Sequence, residues 1–181
     1  MTDAAPSPGA PIPSDAPIER RIALAVERWG EADVIAKAIE LAGGVHVAEE
    51  YLLVVGGDHA QGILEGAPVL YWPELWGVRA LLYVWNDSAQ DAVIGALHNQ
   101  AWRVREMAAR VAAARGLPVS EVLTGMLTDE TPRVRAAAAR ALGALGDDVD
   151  AIRPLLKDPE IDVRRAAQQG MDGVRARMQK G

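Results

Sequence analysis

Few side chains in this sequence are equipped for covalent or acid–base chemistry, and those few are poorly spaced for it. There is no cysteine, which removes thiolate nucleophiles, disulfides and Cys-ligated zinc together. The three histidines, His46, His59 and His98, are scattered. None has a second histidine or a carboxylate at helical metal-ligand spacing, although Asp58 adjoins His59. No glycine-rich phosphate loop follows a strand, and Gly56-Gly57-Asp58 reads as a helix break with Asp58 as N-cap. The sequence therefore predicts a protein without catalytic residues, metal or cofactor.

The residue types that do recur are those of recognition. Arg103 and Arg133 occupy equivalent positions, as do Arg110 and Arg140, and within each helix the two arginines lie seven residues apart, two turns along one face. Such a row is either a solvated face with local pairing or a basic strip for an acidic protein segment. Trp72, Trp76 and Trp102 form a second set. Trp76 and Trp102 share a column two residues before a recurring valine, and Trp85 falls seven residues after Val78, on the expected packed side. The tryptophans are either an aromatic core joining the N-terminal helices to the C-terminal half or the lining of an aromatic pocket.

The elements that must position these groups are helices. Residues 18–29, 31–42 and 47–55 each carry apolar positions at helical spacing and end at glycine. No strand-like alternation of useful length occurs. The second half repeats. Val104-Arg105, Val134-Arg135 and Val163-Arg164 open three helices at intervals of 30 and 29 residues, and Val78-Arg79 is a more divergent copy. Seven residues before each valine stands the last apolar residue of a preceding helix: Tyr71, Leu97, Leu127 and Leu156. Gly116 and Gly146 follow the second helices, where a left-handed residue is expected. Each unit is a hairpin of two helices that cannot bury its apolar face alone, so neighbours must stack.

One further pattern runs through the turns. Asp129 precedes Arg135 by six residues, Asp158 precedes Arg164 by six, and Asn99 and Arg105 keep that spacing with a neutral partner. Pro73 and Arg79 keep it without the acid. LTDETPRVRAAAARALGALGD at 127–147 and LKDPEIDVRRAAQQG at 156–170 thereby resemble the HEAT repeat family, particularly its short repeats of the phycobilisome-lyase type. The resemblance implies an all-α α-solenoid of stacked helical hairpins, with the Asn99, Asp129, Asp158 and Arg105, Arg135, Arg164 ladder as a structural device. That device suits the chemistry, because a tilted arginine can bridge a turn aspartate and orphan carbonyls of adjacent repeats. Resemblance to the di-iron HEAT-repeat hydroxylases would need His-Glu dipeptides, which are absent.

These readings divide the chain into a disordered Pro/Ala-rich tail at 1–17, capping helices at 18–57, and repeats at about 58–85, 86–116, 117–146 and 147–178. The tail has five prolines among its residues and no face to bury. Half of the 181 residues are hydrophobic, enough for a substantial core. The net charge of −6 weighs against general nucleic-acid binding. It hides an asymmetry, −9 over residues 1–97 and +3 over 98–181. No apolar run reaches membrane-spanning length and no signal-peptide pattern opens the chain, so a cytoplasmic bacterial protein is the default expectation. The functional expectation is a non-catalytic interaction or scaffold module. Its alternative is a HEAT-like DNA-binding protein or DNA glycosylase of the alkylpurine type. Whether the solenoid ends pair into a dimer stays open.

Overall fold

Helices account for all the regular structure in the computed structural model, which describes residues 11–146 and 148–179, and no strand occurs among them. The chain divides into two compact units, residues 1–89 and 90–181.

The first unit contains α1 (Ile18–Trp29), α2 (Glu31–Ala42), α3 (Glu49–Gly56), α4 (Asp58–Leu64) and α5 (Trp72–Ala80), followed by a 3-10 turn at Asp87–Ala89. Helix α1 packs on α2 and α3, and α5 packs on α2 and α3. The α2–α5 crossing is close: a Cβ added at Gly77 would stand 2.5 Å from the Ala42 amide nitrogen. Buried Tyr51 donates its hydroxyl to the Val34 carbonyl at 3.1 Å, and burial pushes that phenol well above its usual range.

Several expectations for this half need correction. The segment expected as a first repeat, about 58–85, falls within the first unit, where α5 packs on α2 and α3. Of the tail expected to be disordered, residues 1–10 lie outside the described part. Residues 11–17 are tied down: the Ser14 hydroxyl donates to Asp58 at 2.6 Å, and the Arg21 guanidinium donates to the Ser14 carbonyl. Asp58 is therefore no N-cap. That position falls to Gly57, whose φ of 59° accommodates the break. Helix α5 stops at Ala80, so Trp85 stands beyond it, half-buried, and the seven-residue spacing from Val78 has no helical meaning.

The second unit is a stack of three helical hairpins. Helix α6 (Gln90–Ala96) pairs with α7 (Trp102–Arg115), and α8 (Ser120–Met126) with α9 (Pro132–Leu145). In the third, α10 (Val149–Ile152) and a 3-10 turn (Arg153–Lys157) pair with α11 (Ile161–Met178). Helix α9 lies between α7 and α11. Val104, Val134 and Val163 are fully buried, as are Ala108, Ala138 and Ala167 one turn later. The repeat spacing thus sets one apolar column per hairpin. At the α9–α11 crossing the backbones nearly touch, since a Cβ at Gly170 would stand 2.3 Å from the Ala139 carbonyl oxygen. Gly116 takes the left-handed conformation expected of it, with φ 68°. Gly146 does not: at φ −85° and ψ 170° it is extended. The orphan carbonyls at that end of α9 are met instead by Arg177, which donates to Gly143 and Gly146.

Candidate functional site

The turn ladder is the most regular polar array in the second unit. Arg105 donates through Nε and Nη2 to both carboxylate oxygens of Asp129, at 2.8 and 3.0 Å, and through Nη1 to the carbonyls of Asn99 and Gln100. Arg135 repeats this one hairpin later. Nε and Nη2 reach Asp158 at 2.8 and 2.9 Å, and Nη1 reaches the Asp129 and Glu130 carbonyls. Each aspartate also accepts the backbone N–H two residues on, from Thr131 and Glu160, and Asn99 accepts from Ala101 in the same way. The six-residue spacing therefore marks a contact to the turn's backbone. The carboxylate that each arginine grips belongs to the following repeat, 24 and 23 residues away.

The electrostatics derive from this geometry. The Arg135 hydrogen bonds hold the Asp158 carboxyl below the usual carboxylate range, against the opposing effect of burial. For Asp129 burial is the largest influence and acts upward. The Arg105 and Thr131 hydrogen bonds and the Arg105 charge outweigh it, and the carboxyl is again lowered. The bonds to Asp158 raise the Arg135 guanidinium in turn. With side chains 13% and 5% exposed, the Arg135–Asp158 pair belongs to the packing between repeats.

The residues expected to bind a partner are distributed unequally. Trp76 is 3% exposed and stacks on Trp72 at 6.2 Å between ring centroids, so it serves the core of the first unit and presents no surface. Trp72 is half-buried at the start of α5, beside Tyr71. Trp102, at the first position of α7, is also half-buried rather than core. The Arg103 guanidinium lies 4.4 Å from its ring centroid and that of Arg133, from the next hairpin, 5.8 Å. Arg133 and Arg140 line one groove of about 320 Å³ on the α7–α9–α11 face. Glu106, Glu160 and Asp162 line it as well, and Arg140 donates to Gln169 at 3.1 Å. Arg110 is exposed on α7 outside this groove. The groove is therefore of mixed charge.

The sequence gives no sign that Glu106, Glu160 and Asp162 share a groove, because none of the three recurs from repeat to repeat. Nor does it single out Arg21, which is 7% exposed although it follows Arg20 in an unremarkable charged stretch. Arg79 donates to the Val55 carbonyl at 2.6 Å. Burial lowers both guanidinium groups, and the charge of Arg21 lowers Arg79 further. Their Nε atoms are buried without a hydrogen-bond partner. The histidines are exposed, and no cluster of three metal-ligating side chains occurs among the described residues. No helix of the described chain is long and apolar enough to cross a membrane.

A family model described as HEAT repeats matches residues 90–172. No curated protein matches the chain. Among solved structures, the crystal structure of an engineered protein, a target of the Northeast Structural Genomics Consortium, aligns with a TM-score of 0.55 at 18% identity. The alignment covers 90% of this chain and 86% of that one. At that identity the likeness is one of fold, and it agrees with an all-α repeat architecture.

Proposed function

We propose that the second unit, whose residues 90–172 match the HEAT-repeat family model, is a non-catalytic protein-binding module whose binding face is the α7–α9–α11 surface. The observation that carries this reading is the half-exposed Trp102 ring flanked by Arg103 and Arg133, with Arg133 also lining the adjoining groove. A flat aromatic ring under two guanidinium groups is a rigid anchor of the kind that dominates binding energy at interfaces. The groove charges then orient the bound segment and set its register.

The test is affinity capture from the native cell extract with the parent and with Arg133→Glu/Arg140→Glu, both folded by circular dichroism. The reading expects one or more partners held by the parent and lost by the variant. Retention of every partner by the variant overturns it. Nucleic acid is the competing ligand class. Binding of a duplex oligonucleotide that falls steeply as salt rises to about 0.2 M would replace the protein-binding reading.

A further inference from the structure

The arginine ladder is closed at two rungs and open at the third. Arg105 and Arg135 each fix Nη1 on two carbonyls of their own turn and direct the Nε–Nη2 edge at the next aspartate. Arg164 is anchored in the same way, with Nη1 donating to the Asp158 and Pro159 carbonyls at 2.7 and 2.9 Å. Among the described residues no carboxylate pairs with its Nε–Nη2 edge. The guanidinium is thus held ready by its own turn and half-buried.

We propose that Arg164 is a docking point for an acidic turn of a partner protein. The occupant is an aspartate with both carboxylate oxygens on the guanidinium edge and one of them also accepting the backbone N–H two residues on. Two copies of that complex already exist in the chain, Asp129 on Arg105 and Asp158 on Arg135. The surrounding surface selects a turn over a further helix. In α9 the positions equivalent to Arg165, Gln168 and Asp172 are Ala136, Ala139 and Gly143, and Ala139 and Gly143 are where α11 approaches most closely. In α11 the three larger side chains are exposed: Arg165 donates to Asp162, and Asp172 accepts from Gln168 and Arg175. They keep a packed helix at a distance while leaving Arg164 within reach of a loop. Ile161, three residues earlier on the same face, is 50% exposed and offers the turn an apolar contact. This site stands whether or not the groove between α9 and α11 binds a partner.

The experiment uses the full chain, with the arginine Nε–Hε signals followed by NMR. The probe is a capped hexapeptide copying Leu127–Pro132, and the control is the same peptide carrying Asp129→Asn. The expected result is a saturable shift of the Arg164 signal at millimolar peptide, with Arg105 and Arg135 unmoved. The control peptide should bind at least about tenfold more weakly. Arg164→Lys, which keeps the charge but removes the fork, should lose the saturable binding. No shift at Arg164, or equal shifts with the two peptides, overturns the proposal. So does an Arg164 signal that moves with protein concentration alone, since a second copy would then occupy the site.

Discussion

Asp158 performs two tasks with one carboxylate: it caps its own turn and neutralises an arginine of the preceding hairpin. Asp158→Asn keeps the turn but weakens the grip on a half-buried charge, and should cost about 2–3 kcal/mol in urea denaturation at pH 7. The pH dependence has a definite sign. A carboxyl held below its unfolded value stabilises the fold above that value, and the contribution disappears as the pH falls through the folded one. The difference between parent and variant should therefore shrink as the pH is lowered from about 5 through the carboxylate range. A constant difference would show that Asp158 acts by shape alone. Trp102 supplies the second residue-scale test. As a half-exposed ring under guanidinium groups it should cost only about 1–2 kcal/mol on Trp102→Ala. Trp76→Ala empties a core position and should cost about 3–5 kcal/mol. The sequence placed both rings in one column and so could not separate them. What separates them is the neighbouring backbone: Gly56 leaves room for the Trp76 ring, at 2.6 Å from where its Cβ would stand.

Helix existence was legible from the spacing of apolar residues, and the bounds of α1 and α2 agree with the reading. Helix ends were less legible, because a glycine after a helix marks a break without specifying its conformation. Gly116 caps in the left-handed region and Gly146 does not, since Arg177, 31 residues away in sequence, takes over the carbonyls there. Helix crossings were not legible at all, as nothing local distinguishes a glycine in contact from a glycine in solvent. Two substitutions measure the difference. Gly170→Ala drives a methyl group into the Ala139 carbonyl and should destabilise by about 1–3 kcal/mol. Gly125→Ala, within α8 and with nothing within 4 Å, should instead stabilise by up to about 1 kcal/mol. Thermal melts of the two variants in opposite directions from the parent would confirm the assignment.

At the scale of the whole molecule, the repeat architecture of the second unit was written in the 29- and 30-residue recurrence of Val-Arg. Val78-Arg79 carries the same dipeptide. Arg79 turns to the Val55 carbonyl within the first unit. The candidate binding face was half legible: equivalence between repeats found Arg133 and Arg140, whereas the groove they share with Glu106, Glu160 and Asp162 appears only once helices α7, α9 and α11 are side by side. The terminal hairpin gives the prediction for this scale. Helix α11 packs on α9, meeting it most closely at Ala139 and Gly143. Deleting 148–181 uncovers that face and removes the partner of Arg135, and the truncated chain should aggregate. A truncation that elutes as a monomer in size-exclusion chromatography with light scattering would contradict this.

The direction of the arginine bonds also bears on how such a chain grows. Each hairpin presents an acceptor at its turn to the hairpin before it and an arginine donor on its second helix to the hairpin after it, so the middle hairpin has compatible chemistry on both sides. A tandem duplication of residues 117–146 would place a second Asp129 before the original Arg135 and a second Arg135 before Asp158, with no new type of contact to invent. Such a chain can therefore lengthen in blocks of about thirty residues. A single-residue insertion within a block, by contrast, turns every later side chain away from its mate, and selection has far less to work with there.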